Sequence, residues 1–368
     1  MSLQSPKYSP NWMDGMKISH HHLEQWEDVQ LYRQQQGFAM VNSSFHYGLI
    51  YLGEQTNQPI SRVGNKIIAK ACAGVSKGGF PFRLPAYDGH EVSLELEKLD
   101  MTEKAWYIVL KIHLYDRQEA GNPDPDEEPP RSPYSVPRYE LKVAFETRDG
   151  VKLSPNEVII GKLKKTATDG VELDDQYIPP CLQLSHHSQL LTEVKAAIDE
   201  LETVIRNGES VMKKIQGSPS DHKDELSQPL LHLSQWIIPS LIHLVEEFKF
   251  WGKEAAPVYF FSRISMLGRM IQSSLASRPE RQAGELKLIN YFIEGAMLRA
   301  EQAHSLEKGL GEFHYLHHDI RTILTQTQFF VEALGTLYKN LDSEKRYVWE
   351  KVHEHRVKFR TKGKHTDG

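Results

Sequence analysis

The pattern of apolar and polar positions changes character near residue 180. Before that point it has the two-residue period of strands. Residues 91–99 alternate polar and apolar, as a half-buried strand does, and residues 139–145 do the same. Residues 106–115 are rich in β-branched and aromatic side chains, which suits a strand covered on more of its surface. Residues 45–52, 66–72 and 157–160 give shorter candidates. Glycine turns separate them, at Gly74, Gly78-Gly79, Asp88-Gly89, Asp149-Gly150 and Asp169-Gly170. Many short strands with regular turns predict a β-sandwich or small barrel. The acidic, proline-rich stretch 118–137 is too polar to pack, so it reads as an exposed, mobile loop.

After residue 184 the period becomes helical. Leu191, Val194, Ile198, Leu201, Ile205, Val211, Met212 and Ile215 recur at spacings near three and four, with Gly208 in one apolar slot. This near-heptad stripe predicts a helix packed in a bundle, within the chain or around a threefold axis. A second helix is expected over about 224–252, apolar on two faces and kinked at Pro239. A third opens at Pro257 and closes at Arg278-Pro279. Further helices are expected over 283–308, 312–340 and 343–359. Strands followed by helices imply an α+β multidomain protein and not a doubly wound sheet. The expected division is a β domain over 1–180, a helical bundle over 181–342, and a short helix with a basic tail over 343–368.

Composition narrows the functional classes. The 368 residues carry 44 Lys and Arg against 49 Asp and Glu, a net charge of -5, so nucleic acid is not the expected partner. Two cysteines, Cys72 and Cys181, exclude a disulfide framework and a four-cysteine zinc site, and read as buried thiols in a reducing compartment. The N-terminus lacks the basic and apolar regions of a secretory signal. The richest apolar stretch, 230–250, is interrupted by Gln235, Pro239, Ser240, Glu246 and Glu247, so no membrane span is expected. A cytoplasmic location follows as an expectation, with assembly at the inner face of the inner membrane still open.

Catalytic signatures are sparse. Residues 73–79 are glycine-rich but lack the lysine spacing of a phosphate-binding loop, so a β-turn is expected. Neighbouring side chains in His20-His21-His22 point in different directions and do not converge on one metal. His314, His317 and His318 are a better cluster, since His314 and His318 would share a helix face. Together with nearby carboxylates they define an alternative, a metal-dependent hydrolase. The leading expectation is no enzyme, no metal and no cofactor.

Two motifs carry more information. Trp12 offers a large apolar anchor, followed by a turn at Asp14-Gly15, then Met16, Ile18, His22 and Leu23. Tyr177-Ile178-Pro179-Pro180 is stiff and cannot be helical, so it reads as a rigid crossing between the two domains. The first motif resembles the W-x-[ED]-G-M-x-L-x-P-Q-H-F opening of the TssK family of type VI secretion baseplate proteins. Trp12, Asp14, Gly15, Met16 and His22 match it, Ile18 and Leu23 replace conservatively, and His20 and His21 depart from Pro-Gln. The second is similar to that family's Y-I-P-P-x-L junction. Tyr47-Gly48-Leu49 and Gly79-Phe80-Pro81 echo other landmarks.

The resemblance implies a homotrimeric adaptor with an architecture like phage receptor-binding proteins: a β shell, a helical neck and a C-terminal head. It implies TssF- and TssG-type wedge partners for the shell and an envelope anchor for the head. Docking is then expected within residues 8–26, through Trp12, Asp14, Gly15, Met16, Ile18, His22 and Leu23. Leu191, Val194, Ile198, Leu201 and Ile205 are expected in the trimer or bundle core. The chain departs from the family in stopping at residue 368, where a head is expected, so a reduced head or another anchor protein is expected instead. Residues 343–368 are expected to meet an acidic partner or the membrane surface. A phage tail adaptor of the same architecture is the nearer alternative.

Overall fold

The computed structural model describes residues 7–41, 43–50, 58–85, 91–96, 105–147, 150–166, 170–217, 227–276 and 315–343. The chain divides into two compact units. The first comprises Met1–Gln189 and Leu316–Arg321, and the second Leu190–Tyr315 and Thr322–Gly368. The described part is α+β.

The first unit opens with a helix, α1 (His20–Val41), followed by strands β1 (Gly48–Ile50), β2 (Ile60–Val63), β3 (Lys66–Ala69), β4 (Cys72–Val75), β5 (Pro81–Leu84), β6 (Ser93–Glu95), β7 (Ala105–Ala120), β8 (Tyr134–Ala144), β9 (Glu157–Lys165) and β10 (Val171–Leu173). They form three antiparallel sheets, in orders β1-β4-β5, β10-β9-β7-β8 and β2-β3-β6. β7 lies inside the largest sheet. Its Trp106, Ile108, Leu110, Ile112 and Leu114 enter one core with Tyr47, Ile60, Ile67, Phe80 and Phe82. Its Tyr107 and Val109 pack on the opposite face with Ile159 and Tyr177. Burial on both faces explains why this strand reads as a continuous apolar run.

The hairpin joining β7 and β8 narrows the expected loop at 118–137. Gln118 pairs with Val136, Glu119 with Ser135 and Ala120 with Tyr134, so residues 121–133 form the connection. Pro137 is tolerated because β8 is the outer strand of its sheet, where a missing N–H breaks no ladder. The connection is itself hydrogen-bonded, with Asp124 N–H donating to Arg131 O at 3.1 Å.

Among the described residues four α-helices follow: α2 (Ser188–Gln216), α3 (Ser227–Trp251), α4 (Pro257–Ala276) and α5 (Ile320–Ser343). α2 buries Leu190, Val194, Ala197, Ile198, Leu201, Val204, Gly208, Val211 and Ile215. Apart from Ile198, these alternate in steps of four and three, the spacing of a coiled-coil seam. Val194, Ile198 and Leu201 are thus buried within the chain itself, whereas Leu191 and Ile205 flank the seam half-buried. Gly208 lets α3 approach, since a Cβ there would lie 2.3 Å from Ile238 Cδ1. The buried hydroxyls of Ser234 on α3 and Tyr338 on α5 meet at 3.1 Å. Near the helix ends, Lys214 Nζ lies 2.7 Å from Asp342 Oδ1.

Among the described residues no helix is long and apolar enough to cross a membrane. The helix expected over 312–340 starts later, at Ile320, because Leu316–Arg321 packs in the first unit. The expected helices 283–308 and 343–359 and the basic tail lie outside the described residues, apart from Ser343.

Candidate functional site

The N-terminal arm is an ordered, exposed element. Asp14-Gly15 forms a turn in which Gly15 takes φ +76°, and Met16 N–H closes it on Met13 O at 3.1 Å. Ser19 then caps α1. Its hydroxyl lies 2.9 Å and its N–H 3.2 Å from His22 Nδ1, so His22 fills the place that Glu holds in a capping box. The Trp12 ring lies 6.2 Å from the His22 ring. His20 lies 3.6 Å from Glu24, whereas the His21 ring lies 6.4 Å from that of His22. Trp12, Ile18, Leu23 and Trp26 remain 46–61% exposed. Asp14 is exposed and Met16 half-buried. With Met13, Trp12, Ile18, Leu23 and Trp26 make five large apolar side chains left in water on one short segment.

The Tyr177–Pro180 crossing has a different character. Tyr177, Ile178, Pro179 and Pro180 are all buried. Leu49 N–H donates to Pro180 O at 2.7 Å and Leu182 N–H to Leu49 O at 3.2 Å, bridging β1 to the crossing in parallel. Gly48 makes this approach possible: its φ is +125°, and a Cβ would sit 2.3 Å from Pro180 O. The crossing is therefore part of the β core.

Six residues from far along the chain lock it from the other side. The Tyr177 hydroxyl donates to His318 O at 2.8 Å, and Arg321 Nε donates to Gln176 O at 2.8 Å. His317 Nε2 lies 2.8 Å from Tyr47 O, and its ring centre lies 4.7 Å from that of Tyr47 and 6.2 Å from that of Phe45. Burial pushes the His317 pKa down to about 4, against the opposing pull of the Tyr47 carbonyl. It is thus a neutral N–H donor at pH 7. The His318 ring sits edge-on to Tyr107 at 5.7 Å, with Nε2 3.4 Å from Glu146. Tyr107 donates to the other Glu146 oxygen at 3.2 Å. Lys162 lies 5.0 Å above the Tyr107 ring. Burial raises both the Tyr107 and Tyr177 pKa values, keeping the phenols protonated as donors.

This geometry corrects the metal-cluster expectation for His317 and His318. They lie in a turn before α5, not on a helix face, and their Nε2 atoms face different partners, Tyr47 O and Glu146. His314 lies outside the described residues. Among the described residues no group of three or more His, Cys, Asp or Glu side chains is placed to hold a metal ion. The glycine turn at 77–79 is a β-turn whose amides are spent internally. Lys77, Gly78 and Gly79 donate to Glu157 O, Pro155 O and Ser76 O at 3.2, 2.6 and 2.9 Å. Cys72 and Cys181 are buried and unbridged, and burial pushes both thiols up to about 12.

The sequence motifs thus fall into two places. The arm presents Trp12, Ile18 and Leu23 outward, joined by Met13 and by Trp26 on the first turns of α1. Tyr177–Pro180 belongs to an internal lock. Sequence reasoning missed the contribution of His317, His318 and Arg321 to that lock, because nothing local signals a contact made across 270 residues.

The described chain is thus an α+β protein whose sheet unit carries an exposed apolar arm. The chain belongs to the bacterial type VI secretion family described by the names VC_A0110, EvfL, ImpJ and VasE, whose model matches residues 22–252. No curated protein matches it in sequence. Among solved structures, it is similar to a crystal structure of TssK, with a TM-score of 0.53 and 14% identity over 89% of this chain and 69% of that one. It is also similar to TssK from the EAEC type VI secretion system in complex with a nanobody, with a TM-score of 0.51 and 13% identity over 86% of this chain and 99% of that one. The fold is that of TssK.

Proposed function

We propose that this chain is a non-catalytic structural subunit of a type VI secretion baseplate. In this reading the first unit is a β-sandwich shell that binds TssF- and TssG-type wedge proteins, and the second is a helical neck that assembles three copies. Family membership supports the secretion role, and the wedge partners are those that the TssK resemblance suggests. The observation that carries the docking role is the row Trp12, Ile18, Leu23 and Trp26, ordered yet exposed. Partner docking removes this row from water, which is worth about 25 cal/mol per Å² of apolar surface. Tyr177–Pro180 serves as the domain junction, held by the lock and by β1. Leu191 and Ile205, half-buried beside the α2 seam, are the neck residues available to a neighbouring copy.

The test is co-expression with the wedge proteins of the same secretion system, followed by light scattering and imaging. Trimeric mass and a co-purifying wedge support the reading. A monomer that captures no wedge protein overturns it.

A further inference from the structure

We infer that Arg117 is a positioning residue for the N-terminal arm: with Glu27, Asp28 and Lys7 it holds the arm on the β7–β8 ribbon as a preformed docking surface. β9 pairs with β7 from Ala105 to Lys111, whereas β8 continues along β7 to Ala120. The outer half of β7 and β8 is thus a ribbon, and its register shifts between His113 and Arg117. Such an irregularity re-aims a side chain. Here the Arg117 fork spans two successive carboxylates of α1, with Nη1 2.6 Å from Glu27 Oε2 and Nη2 3.0 Å from Asp28 Oδ1. The Arg117 side chain is only 15% exposed, so these contacts are partly shielded from water and salt.

The other end of the arm is tied to the same place. Lys7 Nζ lies 3.4 Å from Asp28 Oδ2 and 4.4 Å from the centre of the Tyr115 ring, on the ribbon. Gln25 Nε2 donates to Tyr8 O at 3.0 Å. The segment that carries Trp12, Ile18 and Leu23 is therefore closed at both ends. Over the first two turns of α1 apolar burial does little of this holding: Val29 is the first fully buried side chain, and Leu31, Gln35 and Phe38 pack only further along. A planar guanidinium suits the task because it reaches two acceptors at fixed geometry, which an ammonium does not. Ordering the arm in advance lowers the entropy cost of docking.

The inference rests on the reading that the arm binds a wedge protein, and two readouts on the full chain separate them. Amide exchange over residues 7–30 reports the clamp, and capture of TssF- and TssG-type wedge proteins reports docking. Arg117→Ala is expected to raise exchange there about tenfold and to weaken capture about tenfold. Glu27→Gln with Asp28→Asn, which leaves Arg117 in place, should do the same. The charge swap Arg117→Glu with Glu27→Arg and Asp28→Arg should recover part of both effects. Unchanged exchange in Arg117→Ala overturns the clamp. Faster exchange with unchanged capture overturns the positioning role. Trp26→Ser isolates the docking reading: unchanged capture there sinks that reading, while the clamp is still judged by exchange.

Discussion

α1 and α2 are long helices built on opposite rules. α2 buries nine of its 29 residues in a seam that its own chain fills, whereas α1 buries two of 22. Yet α1 and the arm before it carry Trp12, Ile18, Leu23 and Trp26. The apolar positions of α2 answer to the interior of this chain. Those of the arm stay exposed among the described residues, and in the proposed reading they serve a partner. In that reading equal hydrophobicity serves stability in one helix and recognition in the other, and burial tells them apart.

The sharpest way to break this contrast is a matched pair of truncations. Leu201→Ala in the α2 seam should cost about 3 kcal/mol or more, as removal of a fully buried leucine does. Leu23→Ala on α1 should change stability by less than about 0.5 kcal/mol. Urea denaturation measures both, and similar losses would erase the distinction. Gly48→Ala should be almost as damaging, at about 3 kcal/mol, because it combines strained φ with a collision at Pro180 O. A loss confined to a few tenths of a kcal/mol would show that β1 does not hold the crossing.

The lock at His317 adds a pH signature that the arm should lack. The unfolded imidazole takes a proton near pH 6.5, but the folded one only near pH 4. Between those values the unfolded state holds one more proton, so stability is full above about pH 6.5 and falls as the pH drops towards 4. At about 1.4 kcal/mol per pH unit, the loss approaches 3 kcal/mol. His317→Phe should remove this share of the pH dependence in urea titrations at pH 7 and 4.5. The smallest expected effect is on stability in Trp26→Ser, within about 0.5 kcal/mol by thermal unfolding.

Much of the fold was legible because periodicity is a local signal. β7 showed itself by composition, and α2, α3 and α4 by spacing, with Pro257 at the observed start of α4. α1 was not legible, because a helix that buries so little has no apolar stripe to display. The residues 118–120 and 134–137 read as loop because polar strands of a ribbon do not alternate as half-buried strands do. Cys72 was assigned to the strand before it, whereas the chain breaks at Lys70, whose N–H bonds Pro59 O, and Cys72 opens β4 in another sheet. For the proposed site, the arm motif named Trp12, Ile18 and Leu23, which are exposed, but not the equally exposed Trp26. Tyr177–Pro180 was read as a crossing, yet its burial depends on Gly48 and on residues 316–321, which are distant in sequence. Contacts of that range leave no local pattern to read.

One titration tests the proposed docking surface most directly. TssF- and TssG-type wedge proteins are titrated with the intact chain and with the triple variant Trp12→Ser, Leu23→Ser, Trp26→Ser, each checked first by thermal unfolding. The prediction is an unchanged melting temperature and affinity lower by about a hundredfold, as expected when apolar anchors are removed from an interface. Equal affinity for the two proteins would contradict the assignment of the arm as the docking surface.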